Sequence, residues 1–431
     1  MIAKYLLLIR SNLIKRSGSV FLLRIFSMLL AYLNMLYISN IYGAEIFGRY
    51  SISLALWQLL ILVFSFGLPL TMVKLTADTR FYNHGRPINS YLQKSAFLLL
   101  FSAFFCTLII QLTKEWLAIQ VFNDFELIKY FEYLSYCIGF GIFHLFFVEF
   151  IRGKQLFKKY ALFYYVLPYV ITIPLLFVFN NLGLPESNTI FAYVLSISVL
   201  AIILFLNVPL KKTKELKNYP QKDLLNLSLP LLFSALFIFL SNWTDVFMLG
   251  AMATKSEVGV YNVAYKLAAI SLIVINAVNT VIAPRISELY SNNQISQISD
   301  EVKKATRLIA LVTLPVVLVL IIFSKQFLNF FGEDFISGQR VLLVLSIGFL
   351  FNALSGSVGQ VLSMTQHQKQ LRNFTIVSTI FNVILNYILI NSHGVLGAAL
   401  ASVLSNILLN AMCIYYIKKK FDFYAFIFFH K

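Results

Sequence analysis

Charge is scarce in this chain: 12% of its 431 residues are Asp, Glu, Lys or Arg, about half the share in an ordinary soluble domain. With 59% hydrophobic residues and a mean hydropathy of +0.80, a soluble fold is excluded. Cysteine is equally sparse. Cys106, Cys137 and Cys413 all stand in apolar runs, so neither a disulfide framework nor a thiolate metal site is supported. The sequence has no glycine-rich phosphate loop with its lysine, no paired metal-ligand motif and no nucleophile elbow. A pump that hydrolyses its own ATP is therefore excluded, no cofactor is implied, and enzymatic chemistry has little footing. Long hydrophilic stretches are also missing. About twelve spans of ~21 residues would use ~250 residues and leave ~180 for connections averaging ~14, too short for a separate globular domain. The first apolar stretch lacks a small-residue cleavage site and reads as a retained anchor.

What is present is apolar and regularly interrupted. Uninterrupted runs lie near 19–39, 50–73, 92–113, 130–151, 161–182 and 189–209 (spans one to six). A second set lies near 224–249, 259–283, 306–323, 340–364, 373–391 and 396–417 (spans seven to twelve). In hydrocarbon a segment must satisfy its own backbone groups, so each run is expected to be a helix. The fold class is thus all-α and integral to a membrane, with about 12 transmembrane helices. The formal charge of +17 comes from 35 basic and 18 acidic residues. Placing the basic residues on the loops puts 27 on the side of both termini, 6 on the other and 2, Arg24 and Lys266, inside spans. That asymmetry directs both termini to the cytoplasm and makes nucleic-acid binding an unnecessary explanation of the charge. Lys4, Arg10, Lys15 and Arg16, set among Leu6, Leu7, Leu8 and Ile9, read as an interfacial helix on the inner leaflet.

The charged stretch around Pro220 divides the chain almost equally into an N-terminal lobe (1–210), a cytoplasmic linker (211–223) and a C-terminal lobe (224–431). A shift of 211 positions lays Gly48 and Tyr50 of "IFGRY" on Gly259 and Tyr261 of "EVGVY", and Asn34 on Asp245. Six spans per half is an even number, so the halves enter from the same side and form a parallel repeat, with a cleft between the lobes as the expected path.

Intramembrane charge costs about 2.5–3.5 kcal/mol per residue on insertion scales and asks for a partner, a wet cavity or a route to the interface. Arg24, roughly 7 Å inside span one, either snorkels to headgroups or faces the cavity and binds phosphate through its guanidinium fork. Asp245 and Lys266 stand at depths of roughly 7 and 10 Å on consecutive antiparallel helices. They are expected either to pair or to leave Asp245 to couple to a proton or cation. His144 in span four has structural uses besides proton relay. Asn352 and Gln360 share a broad small-residue face in span ten, while Asn382 with Asn386 and Asn406 with Asn410 repeat a four-residue spacing. Interhelical hydrogen bonding is the first reading of these amides; cavity lining, with Asn34, is the second. Pro69, Pro168, Pro174, Pro230 and Pro315 are expected to bend or begin helices.

The stretches "YGAEIFGRYSISLALWQLL", "LSLPLLFSALFIFLSNWTDVFMLGAMATKSEVGVYNVAYKLAAI" and "GQVLSMTQHQKQLRNFTIVSTIFNVILNYILINSHGVLGAALASVLSNI" resemble the polysaccharide-transporter branch of the multidrug, oligosaccharidyl-lipid and polysaccharide exporter superfamily (MOP/MATE-like), nearest its Wzx-type O-antigen flippases. The resemblance implies two pseudo-symmetric six-helix lobes around a cationic cavity. It also implies passage of an undecaprenyl-pyrophosphate-linked oligosaccharide from the cytoplasmic to the periplasmic leaflet of the bacterial inner membrane. Proton or sodium coupling, contact with membrane lipid, and association with a polysaccharide polymerase and a chain-length regulator are implied with it. Arg24 and Lys266 match the family's basic residues on spans one and eight, and Asp245 its acidic residue on span seven. A multidrug or cation exporter and a membrane polysaccharide polymerase are the alternatives. The first needs acidic groups converging in one lobe, whereas Glu132 and Glu149 lie ~25 Å apart along span four. The second needs a large outer loop, and the longest outer segments, near 114–129 and 324–339, are short.

Overall fold

The computed structural model describes the backbone over residues 2–77, 88–207 and 221–425, and side chains over 20–76, 91–207 and 224–425. Most of the expected linker 211–223, the loop 78–87 and the basic side chains ahead of Val20 lie outside the described residues. Among the described residues there is no strand, as expected of chain that must bond its own backbone in lipid. Ten helices among the described residues are long and apolar enough to cross a membrane. Two are long enough for two crossings: Val20–Phe64 has 45 residues and Gln368–Phe421 has 54, about 68 and 81 Å if straight against ~30 Å of hydrocarbon. Each breaks at a glycine with left-handed φ, Gly43 (82°) and Gly394 (56°). Divided there, the ten helices supply the twelve segments that the apolar runs require.

Two compact units form, and neither is a simple half of the chain: Met1–Tyr42 with Ile52–Leu236, and Gly43–Ser51 with Phe237–Lys431. The start of span two is thus packed into the second unit and the start of span seven into the first. Glycine explains both exchanges. In the first unit a Cβ on Gly67 would collide with the Ser228 carbonyl and meet the Leu232 backbone. In the second, a Cβ on Gly48 would run into the Lys255 carbonyl, and one on Gly259 into the Ala44 carbonyl. Ala44 and Lys255 are themselves 211 positions apart, like Gly48 and Gly259. The two repeated motifs therefore cross each other reciprocally, backbone on backbone, as small residues permit.

The first unit is organised around Leu127–Gly153 (span four), which packs against spans two, three and six. Of its apolar window 67% is buried, against 22% for Phe157–Asn181, which marks it as the core helix. Gly141 abuts Trp57 and Ile61, and Gly153 abuts Val73 and Thr76, with no room for a Cβ at either. His144 donates through Nε2 to the Phe163 carbonyl at 3.2 Å. That carbonyl lies in the π-turn Leu162–Val166, where regular helical bonding is disturbed, so the histidine serves structure there. Pro69 and Pro168 begin helices, while Pro174, Pro230 and Pro315 lie inside them.

In the second unit Thr254 caps span eight reciprocally with Glu257, which donates its backbone N–H to the Thr254 hydroxyl while its carboxylate accepts the Thr254 N–H at 2.9 Å. At one end of the unit, Ile286, Val302, Val361, Leu362 and Ile417 close a core shared by spans eight, nine, ten and twelve. Elsewhere apolar side chains face outward: Phe97, Leu100, Phe101, Phe104, Leu108 and Leu112 on span three are each at least 44% exposed. In water such a stripe would be an aggregation surface; along a membrane helix it is the lipid face.

Candidate functional site

Asp245 is the most deeply committed carboxylate of the second unit, 7% exposed two turns before the end of Gln221–Met252. Tyr261 donates its hydroxyl to Oδ2 at 2.5 Å, and Ser402 donates to the same oxygen. Asn386 donates through Nδ2 to Oδ1 at 2.8 Å, and the same amide reaches Asn382 Oδ1 at 3.1 Å. Spans seven, eight, eleven and twelve thus converge on one acid. All three direct donors are uncharged, an arrangement that an acceptor-only carboxylate satisfies through both oxygens. The Asn386 Oδ1 is buried and accepts no hydrogen bond among the described residues.

Neighbouring polar contacts run alongside this cluster. Ser241 and Thr379 share a hydrogen bond of 2.6 Å between spans seven and eleven. Ser378 donates to the Ser405 carbonyl at 2.7 Å between spans eleven and twelve. Asn410 donates to Asn352 Oδ1 at 3.2 Å and to Asn406 Oδ1 at 2.6 Å. The four-residue amide spacing therefore builds interhelical bonds, with Asn382 and Asn386 also forming part of the acid's cradle. Gln360 is half-buried in Val358–Met364. Asn34, the counterpart of Asp245 under the 211-residue shift, is buried in the first unit.

The basic candidates stand apart from this cluster. Lys266 is half-buried and follows Tyr261 by five positions, about 140° around the helix. Turning Tyr261 toward Asp245 therefore turns Lys266 to another face, and the donors to the acid are hydroxyl and amide groups. Arg24 is exposed in the first unit, with its guanidinium carbon 5.6 Å from the centroid of the Tyr165 ring. Such an exposed cation–π contact contributes about 0.5–1 kcal/mol. It fixes the direction of the group while leaving its N–H donors available.

Sequence reasoning missed Ser402 and the role of Tyr261: Tyr261 ends the repeated motif "EVGVY", whereas Ser402 lies in the small-residue run "GVLGAALAS". Lys255 is one of the six basic residues that the loop count puts on the side away from the termini. That residue is buried, with its ammonium donating to the Gly250 carbonyl at 2.9 Å near the C-terminal end of span seven, where helix carbonyls lack partners.

Twelve apolar helical segments in two units, with an intramembrane acid cradled by four of them, define a polytopic membrane protein of transporter architecture. Its fold is shared with solved members of the MOP superfamily. An inward-facing multidrug resistance MATE family transporter superposes with a TM-score of 0.74 at 16% identity, covering 92% of this chain and 94% of that one. The lipid II flippase MurJ, in an inward closed conformation, gives 0.73 at 16% identity, covering 94% and 87%. The chain belongs to the polysaccharide biosynthesis protein family, whose model matches residues 13–290; the MatE model also matches 230–388. A Haloferax volcanii protein assigned as the low-salt glycan biosynthesis flippase Agl15 is 29% identical over 185 residues, 43% of this chain and 39% of that protein. The match thus spans about two fifths of that relative's length. A Shigella flexneri protein assigned as an O-antigen transporter is 24% identical over 83% of this chain and 86% of its own.

Proposed function

We propose that the protein is a flippase for undecaprenyl-pyrophosphate-linked repeat units of O-antigen or a related surface polysaccharide. It carries them by alternating access from the cytoplasmic to the periplasmic leaflet of a bacterial inner membrane, with both termini in the cytoplasm and no covalent change to the cargo. The observation that carries this reading is the match along 83% of the chain to the protein assigned as an O-antigen transporter. A diphosphate cannot cross hydrocarbon unaided, so the path must supply compensating cations. Arg24, held over Tyr165, and Lys266 are the groups assigned to that task. Asp245 is assigned to coupling: with Asn382 Oδ1 and the unbonded Asn386 Oδ1 it offers the oxygen set that a proton or sodium ion takes.

Deletion of the gene tests the proposal. The expected result is loss of the long-chain surface polysaccharide ladder, with lipid-linked units accumulating on the cytoplasmic leaflet; an unchanged ladder and leaflet distribution would overturn it. The MatE match over 230–388 favours a second reading, export of organic cations. That reading requires the deletion strain to become sensitive to cationic dyes while its surface sugars stay intact.

A further inference from the structure

The turn between spans four and five carries a cluster of positive charge that the proposed transport path does not use. Arg152, at the end of Leu127–Gly153, pairs with Glu149 at 2.6 Å and lies 5.5 Å from the Tyr160 ring centroid. The next three basic residues, Lys154, Lys158 and Lys159, are exposed and have no ion-pair partner among the described residues. Basic groups elsewhere include paired ones: Arg285 pairs with Glu288, Lys304 with Glu301 and Lys418 with Asp422. One of these lysines, Lys154, borders an open cleft. Thr76, Gly153, Lys154, Gln155 and Leu156 line an open cavity of about 370 Å³, within the size range of small-ligand sites.

Two features fix the shape of the turn beside the cleft. Gln155 holds a left-handed φ of 59°, which non-glycine residues adopt at a cost. Gly153 sits so close to Thr76 that no Cβ fits. Together they turn the chain sharply and bring Lys154 beside the cleft, its ammonium 4.3 Å from the Phe150 ring centroid. Partial burial pulls that ammonium below the ordinary lysine value, so a bound anion would relieve it. Leu156 and Phe157, both more than two fifths exposed, add apolar surface next to the charge.

We propose that this turn binds the phosphate group of a membrane lipid, with Lys154 at the cleft and Lys158 and Lys159 exposed on the helical turn Phe157–Ala161 that follows. Basic clusters at the ends of membrane helices recognise anionic headgroups in this way. The phosphate has two available sources, a bilayer phospholipid or the diphosphate of a polyprenyl-linked cargo. Binding does not require the flippase reading to hold, because it is read without transport.

The test reconstitutes the full chain in phosphatidylcholine nanodiscs and measures retention of phosphatidylglycerol and, separately, of undecaprenyl diphosphate. A K154A/K158A/K159A variant is compared with a K418A/K419A/K420A variant that removes the same charge from another lysine cluster of the chain. The expected result is a loss of affinity on the order of a hundredfold for one of the two lipids in the first variant. Lys154→Arg should restore the affinity where Lys154→Ala does not, and the control variant should retain it. Loss for phosphatidylglycerol identifies a structural lipid site, and loss for undecaprenyl diphosphate identifies a cargo-docking site. Equal loss in both triple variants, or no loss in either, would overturn the proposal.

Discussion

Asp245 shows how much can depend on one side chain. Three donors from spans eight, eleven and twelve end on its carboxylate, and truncation would leave them buried without an acceptor at about 1–3 kcal/mol each. Asp245→Ala is therefore expected to lower the thermal unfolding midpoint in detergent well below that of Tyr261→Phe. The tyrosine change removes only one of the three donors, worth about 0.5–1.5 kcal/mol. Asp245→Asn keeps the volume and abolishes the charge, so transport by that variant should lose its dependence on a proton or sodium gradient. Gradient dependence equal to wild type would remove the acid from coupling. At Arg24 the geometry separates charge from shape. Arg24→Lys keeps a cation near Tyr165 and should preserve part of the transport rate, whereas Arg24→Ala should abolish it. Equal activity of the two variants would remove Arg24 from the path.

At the scale of helices, the reciprocal crossing of Gly48 and Gly259 is the most constrained contact of the second unit. The obstruction on each side is backbone, a carbonyl of the opposing helix, so no side-chain rearrangement can absorb even a methyl group. Gly48→Ala and Gly259→Ala should each destabilise by about 1–3 kcal/mol, as overpacking does. Because both push the same pair of helices apart, the double variant should cost less than the sum of the two. Gly359, whose added Cβ would meet nothing within 4 Å, is the control. Gly359→Ala in Val358–Met364 should be neutral or slightly stabilising. Unfolding midpoints of the four proteins decide the matter; equal shifts at positions 48 and 359 would contradict the crossing.

At the scale of the molecule, the proposed orientation rests on where the positive charges stand. The three native cysteines are free and buried, so reporter cysteines can be introduced against a low labelling background. Glu126→Cys should react with an impermeant maleimide in intact cells and Gln294→Cys only after permeabilisation; the reverse pattern would invert the topology.

Much of this fold is legible without coordinates. Apolar runs locate all twelve segments because lipid forces each segment to bond its own backbone, and even the glycines that cross are marked by the 211-residue shift. The exchange of Gly43–Ser51 and of the span-seven start between the units is not legible, since it depends on contacts between helices distant in sequence. Asp245, Asn382 and Asn386 were visible as polar groups in apolar runs. Ser402 was not, because a serine in a small-residue run carries no signal until its rotation about the helix is known. The placement of Lys266 away from Asp245 was hidden for the same reason: depth can be counted along a helix, but the face depends on which neighbour the helix meets.

The central claim is that an anionic lipid-linked oligosaccharide changes leaflet without chemical change. The most direct measurement loads the purified protein into liposomes with such a substrate and follows its exposure to an impermeant glycan-cleaving enzyme. The proposal requires time-dependent exchange between leaflets, loss of that exchange in Arg24→Ala, and an unaltered glycan length. A leaflet distribution identical to protein-free liposomes, or a lengthened glycan, would contradict it.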